Sequence, residues 1–282
     1  MPYIEPKSRF VYLNTGIRLH FLDWPGSDPP IIAIHGSKTT CHMWDQFCEN
    51  LQGKHRVIAP DRRGYGDSQE SHETAYKPED MSKDLAALIE ELELKEFHLI
   101  GHSMGTRVGG RYALYHPQRV ISLILVDTSD FAMSRDKNKN YKEIKSRKDK
   151  FSNKQEALEY LKEHEGANWP ENILKHHINK MTYTFNNQVY HKVKTNVLIK
   201  VRQVTSSSFV KSASEFNFPT LILRGENSKY LLKDEARKLN NMITESKLIE
   251  IPNAGHFIVQ ENFDSFYEVV NRFLQDLNKE RF

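Results

Sequence analysis

The sequence predicts an α/β protein with a mostly parallel, eight-stranded sheet flanked by helices. Three observations predict it. Short apolar runs without polar alternation, such as Ile31–Ile34 and residues 122–126, are the mark of strands buried on both faces. Helical periodicities fall between such runs, as in residues 81–92, where apolar side chains recur at 81, 85, 88, 89 and 92. Residues 97–110 read as strand, sharp turn and helix, with Ser103 two positions from Gly101 on one side and Gly105 on the other. Regular alternation of this kind builds a parallel sheet, and ligands then bind beyond the carboxyl ends of its strands.

Residues 9–13 and 17–23 are β-rich runs joined by Asn14-Thr15-Gly16, a hairpin signal, and residues 24–30 break the pattern with three prolines and a glycine. Ile31–Ile34 then leads directly into His35-Gly36-Ser37-Lys38-Thr39-Thr40, a loop placed to carry chemistry. A short helix over 43–51, a buried strand over 56–59, the helix over 81–92 and the strand–turn–helix follow, and the strand over 122–126 ends in Asp127-Thr128-Ser129-Asp130. The pattern changes over 131–218. No buried-strand run occurs there, and lysine-rich helical segments carry Tyr141, Phe151, Tyr160, Trp169, Tyr183, Phe185 and Tyr190. This predicts a helical cap at 131–218, inserted after the sixth strand into a core made of 1–130 and 219–282. Its basic beginning, 135–154, reads as a solvated helix face, the alternative being a docking surface for an anionic substrate tail such as acyl-coenzyme A. Buried-strand signal returns at 219–225, followed by a helix over 231–242, a strand over 247–251 and an amphipathic helix over 261–277.

At 282 residues the chain has ample length for a large core, and its net charge of +3 is too mild to imply nucleic acid as a partner. No signal-peptide pattern and no apolar run of membrane-spanning length is present, so the expected location is cytoplasmic. Cys41 and Cys48, the only cysteines, lie seven apart around a helix start and are expected to be buried thiols rather than a disulfide or metal pair. None of the histidines, the His176-His177 pair included, has metal-ligand spacing, and no cofactor or metal is expected. The sequence leaves the oligomeric state open.

Ser103 is the candidate nucleophile, because a tight turn between strand and helix holds its hydroxyl out at the sheet edge. His256 is the candidate base: it follows the last strand, and the flexible Gly255 beside it lets the imidazole swing inward. His102, adjacent to Ser103, is expected to point away and to pack or bond locally. The oxyanion formed on attack needs preorganised donors, and the backbone N–H groups of Met104 and Ser37 suit that role.

The order of parts resembles the α/β-hydrolase superfamily over essentially the whole chain. His35-Gly36, Asp61-Arg62-Arg63-Gly64-Tyr65-Gly66-Asp67-Ser68, the turn at Ser103 and Asn253-Ala254-Gly255-His256-Phe257 carry the resemblance. The resemblance implies structural, loop-organising roles for His35, Asp61 and Arg62. Within the superfamily the chain looks most like small capped bacterial esterases and thioesterases with a Ser-Asp-Ser-His site. That placement rests on Arg224-Gly225-Glu226-Asn227-Ser228, where many members carry Gly-x-x-Asp and this chain has serine in the acid's place. The superfamily also uses the end of the preceding strand for its acid, which implies Asp127 as the carboxylate orienting His256, with Ser228 as a fourth member and Glu226 as the rival acid. The implied activity is hydrolysis of a small-molecule ester or thioester through an acyl-enzyme on Ser103. Relatives that act as small-molecule receptors or signalling proteins, and carbon–carbon bond hydrolases, are the alternatives. Dehalogenases and epoxide hydrolases share the fold but need a carboxylate nucleophile. The cap's aromatic and apolar side chains, with Met104 and Ser37, are expected to line an acyl pocket.

Overall fold

The computed structural model describes residues 4–71, 75–128, 130–131, 137–204 and 209–280; Met1 to Tyr3, Ser129 and Arg135 lie outside the described residues. Eleven strands occur there: Lys7–Tyr12 (β1), Arg18–Trp24 (β2), Ile31–Ile34 (β3), Val57–Pro60 (β4), Phe97–His102 (β5), Val120–Val126 (β6), Lys150–Phe151 (β7), Thr182–Phe185 (β8), Gln188–His191 (β9), Thr220–Gly225 (β10) and Ser246–Ile251 (β11). Eight of them form the main sheet in the order β1-β2-β4-β3-β5-β6-β10-β11. β1 and β2 pair antiparallel, β2 pairs antiparallel with β4, and all remaining neighbours are parallel.

The two-residue period of a strand sorts its side chains between two layers. In β3, Ile32 and Ile34 join the apolar cluster built with Pro78–Glu91 (α2) and Met104–Tyr115 (α3), whereas Ile31 and Ala33 join the one built with Asp45–Leu51 (α1) and the C-terminal helix. All four are essentially inaccessible, which is why the run shows no polar alternation. Each fully buried isoleucine or leucine of this kind contributes about 1.5–3 kcal/mol. α2 begins with Pro78 at its first position and buries Met81, Leu85, Leu88 and Ile89 along one stripe. The expected 43–51 helix is a 3₁₀ turn, Cys41–Trp44, running into α1, and both cysteines are free and buried.

β3 lies between β4 and β5, so the chain winds outward from it in both directions. The loops after β3 and β5 therefore leave the same sheet edge side by side, at the point where the winding reverses.

Between β6 and β10 the chain forms Lys137–Lys145 (α4), Lys154–His164 (α5), Glu171–Met181 (α6) and Thr195–Gln203 (α7), and also a three-stranded antiparallel sheet in the order β7-β9-β8. A purely helical segment was expected, and the sheet departs from that. Its hairpin turns at Asn186-Asn187, both with positive φ (47° and 56°), the conformation that short asparagine-rich hairpins favour. Phe151, Trp169, Leu174, Ile178 and Val189 form a separate small core there, against which Phe257 packs. Lys192 and Lys194 of this segment pair with Asp67 and Glu70 at 2.6 Å, and His176 reaches Asp45 at 3.1 Å. Within the basic stretch Lys142, Lys145, Lys148, Lys150 and Lys154 are exposed, whereas Arg147 is buried and pairs with Asp149 and Glu165. Lys233–Met242 (α8), Ile258–Glu261 (α9) and Phe263–Glu280 (α10) complete the fold.

Candidate active site

Ser103 sits at the tip between β5 and α3 with φ +52° and ψ −111°, a backbone conformation that side chains other than glycine rarely adopt. Its neighbours impose the turn. A Cβ on Gly105 would lie 2.1 Å from the Ile34 carbonyl oxygen, and one on Gly101 would lie 2.6 Å from the Gly105 carbonyl carbon. Strand and helix thus pass at backbone contact, and Ser103 N donates to Val126 O at 3.0 Å. Gly105→Ala is expected to lower the unfolding free energy by about 2–3 kcal/mol through overpacking, read from urea denaturation; an unchanged midpoint would contradict this close approach.

Ser103 Oγ lies 2.9 Å from His256 Nε2, and His256 Nδ1 lies 2.7 Å from Asp127 Oδ2. The carboxylate fixes the tautomer: Nδ1–H donates to Asp127, which leaves Nε2 with its lone pair toward the serine hydroxyl. Asp127, itself at φ +43° and fully buried, also accepts from Ser228 Oγ at 2.6 Å and from Gly225 N at 3.2 Å. Glu226 stands apart from this chain of bonds and instead accepts from Asn253 N at 2.8 Å, bracing the turn that leads to His256. Burial acts against charge on both central partners. It pushes Asp127 up to about 7, opposed by the hydrogen bonds from Ser228 and Gly225, and burial followed by the charge of Lys38 pulls His256 down to about 3. The resting imidazole is neutral, as a base must be.

His102 packs against His256 and Phe257 instead of bonding to Ser103, as expected, but its hydrogen bond is not local. Its Nε2 donates to the His256 carbonyl at 2.8 Å across 154 positions of sequence, so it ties the His256 loop to β5 rather than bonding locally. Burial pulls it down to about 3, which keeps it a neutral donor. His35 donates from Nδ1 to Gly36 O at 2.7 Å and accepts the Arg62 N–H on Nε2 at 3.0 Å, while Arg62 Nη2 donates to Gly36 O at 2.8 Å. Asp61 accepts from Cys41 N, Asp67 N and His20. These bonds hold the loop that carries Ser37.

A cavity of about 110 Å³ opens onto Ser103 and His256, with Ser37 and Met104 beside them. Met104 is the first residue of α3, where backbone N–H groups have no partner within the helix. Ile144, Leu198 and Val201 supply apolar wall from the segment between β6 and β10, and Glu143 and Arg202 line it from the same segment. The aromatic lining is Tyr230 and Phe257 from the main-sheet region, in place of the tyrosines, phenylalanines and tryptophan expected from 131–218. Tyr230 and Lys38 were not singled out by the sequence; the available signal was adjacency, two residues after Ser228 and one after Ser37.

Among the described residues one group, His20, Cys41 and Asp61, has donor atoms within 4.8 Å of one another. Its atoms are already engaged, His20 between Asp61 and Ser8 Oγ, and burial pushes the Cys41 thiol up, away from the thiolate a metal would require. The cluster braces the loop.

Residues 29–263 match the model of a family described as alpha/beta hydrolase fold. The chain belongs to the α/β-hydrolase family. It is 23% identical over 256 residues to 2-hydroxy-6-oxo-2,4-heptadienoate hydrolase of Pseudomonas putida, covering 88% of this chain and 90% of that one. A shorter match, 36% identical over 106 residues, joins it to a fluoroacetate dehalogenase from a Burkholderia species and spans 36% of this chain and 35% of that protein. The crystal structure of E-2-(acetamidomethylene)succinate hydrolase superposes with a TM-score of 0.86 at 21% identity, over 96% of this α/β hydrolase and all of that chain. Among the described residues no helix is long and apolar enough to cross a membrane.

Proposed function

We propose that this α/β hydrolase is a serine hydrolase that cleaves carboxylic esters or thioesters of small molecules through an acyl-enzyme on Ser103. The observation that carries the reading is the unbroken run of hydrogen bonds Ser103–His256–Asp127 ending at an apolar cavity. His256 Nε2 takes the Ser103 proton as Oγ attacks the acyl carbon, and the oxyanion faces the N–H groups of Ser37 and Met104. Collapse expels the alcohol or thiol, which receives the proton from Nε2. Water, deprotonated by the same nitrogen, then attacks the acyl-enzyme and releases the acid and free Ser103. Above about pH 7 Asp127 keeps its charge through the cycle and holds Nδ1–H, and Ser228 holds Asp127. Residues 131–218 act as the cap that walls the acyl group, the core being 1–130 and 219–282.

Dehalogenation does not suit a serine. Displacing fluoride from a saturated carbon would leave an ether on Ser103, with no carbonyl for water to attack, and turnover would stop after one event. Carbon–carbon bond hydrolysis is the second reading, favoured by the near full-length match to the heptadienoate hydrolase. It uses the same nucleophile and differs in that the leaving carbon is protonated.

A panel of short-chain aryl esters, acyl thioesters and 2-hydroxy-6-oxo-2,4-heptadienoate is expected to show hydrolysis of the first two classes. Exclusive turnover of the third would shift the assignment to carbon–carbon cleavage, and no turnover of any would favour a receptor role. Intact-mass analysis after exposure to a fluorophosphonate is expected to show one adduct on Ser103 and none on Ser103→Ala. Absence of the adduct, or its mapping elsewhere, would remove Ser103 from the mechanism.

A further inference from the structure

His256 has a neighbour that the reaction described above leaves without a role. Tyr230 stacks on its imidazole with ring centroids 3.8 Å apart and planes 19° from parallel. The Tyr230 amide donates at 3.1 Å to the Ser228 hydroxyl, the same hydroxyl that donates to Asp127, so the stacked ring and the carboxylate are set by one loop. Resting on the serine-hydrolase reading, we propose that Tyr230 is a positioning residue whose ring face holds His256 in line with Ser103 and stabilises the imidazolium formed as the serine proton transfers.

An aromatic face is electronegative, so it attracts a cation far more than a neutral ring, and the attraction grows where water is excluded. The contact is therefore stronger in the transition state than in the resting enzyme, which is the condition for an interaction to accelerate the chemical step. The other groups around His256 leave room for such a role. Asp127 supports the cation through the Nδ1–H edge, while Lys38 opposes it. His102, held neutral by burial, adds no charge, and Phe257 meets the imidazole edge-on at 5.4 Å. Glu143 and Arg202 line the same cavity with opposite signs. Burial pushes the Tyr230 phenol up, so the ring stays uncharged at neutral pH.

The test is the pH dependence of the second-order rate of Ser103 phosphonylation by a fluorophosphonate, whose midpoint reports the first proton taken up by the hydrogen-bonded His256–Asp127 pair, in wild type, Tyr230→Phe and Tyr230→Leu. Tyr230→Phe keeps the ring face and is expected to hold the midpoint and the plateau rate near wild type. Tyr230→Leu is expected to move the midpoint down by about half to one pH unit and to lower the plateau about three- to tenfold. A role in packing alone moves the midpoint the other way, because water reaching the imidazole relieves the burial that holds it down. An unchanged or raised midpoint in Tyr230→Leu, or a Tyr230→Phe that behaves like it, overturns the proposal. Tyr230→Met carries the same expectation if the leucine variant does not fold. A wild type that is not labelled at any pH would instead refute the serine-hydrolase reading, and the proposal with it.

Discussion

Asp127→Asn is expected to lower kcat about 10⁴-fold without unfolding the protein. The amide fits the same volume, but its NH₂ group can face His256 Nδ1. The imidazole then carries its proton on Nε2, 2.9 Å from Ser103 Oγ, and no longer accepts the serine proton. Ser228→Ala is expected to cost about tenfold or less, since Asp127 keeps the Gly225 amide and His256 as donors. Its signature is a shift with a definite sign. The Ser228 hydroxyl favours the Asp127 anion, so without it the hydrogen-bonded His256–Asp127 pair takes up its first proton more readily and the acid limb of the kcat profile moves to higher pH. Glu226→Gln is expected to leave kcat within about twofold, because a glutamine oxygen accepts from Asn253 N as well as a carboxylate does. An active Asp127→Asn together with an inactive Glu226→Gln would transfer the acid's role to Glu226.

Stability is expected to fall by on the order of 5 kcal/mol between pH 7 and pH 5, seen as a lower urea midpoint. Burial is the leading cause that holds six histidines down, five of them far: His35, His102, His191 and His256 to about 3 and His177 to about 4, with His116 lowered as well. In the unfolded chain each titrates near 6.5. For a base whose native pKa is depressed, the unfolded chain binds the proton first as pH falls, so stability is intact above about 6.5 and declines below it. Each of those five costs roughly 2 kcal/mol by pH 5. Two groups act in the opposite direction by taking up protons in the native state: His176, raised by its bond to Asp45, and Asp127, raised by burial. Glu165 and Asp61, both lowered to about 2, hold their stabilisation until the pH drops below about 4. A flat urea midpoint from pH 7.5 to 5 would show that these histidines are solvated. His191 offers a local check. Among the described residues its buried Nε2 has no hydrogen-bond partner, and His191→Met is expected to flatten the slope by about one proton.

Local signals in the chain determined the strands, the turn at Ser103 and the helices that flank the sheet. A run with no polar alternation can only be buried on both faces, as Ile31–Ile34 is, and glycines two positions either side of a serine permit a backbone crossing that a Cβ would block. The Asn186-Asn187 hairpin is also written locally, but its strands are four residues long and partly exposed, so no apolar run marks them. Ser103, His256, Asp127 and Ser228 are legible as candidates by their position after strands, whereas the preference for Asp127 over Glu226 at His256 rests on the family resemblance and not on the local residues. Both acids follow strands on the same sheet edge, and in the fold the Asp127 carboxylate lies 2.7 Å from His256 Nδ1 while Glu226 accepts from Asn253 N. Only the tertiary structure decided which of the two lies against His256, that His102 reaches the His256 loop and that Tyr230 and Phe257, not the aromatics of 131–218 named above, face the cavity. These contacts join segments about 100 to 150 residues apart, and their geometry depends on how whole layers pack rather than on any residue's neighbours in sequence.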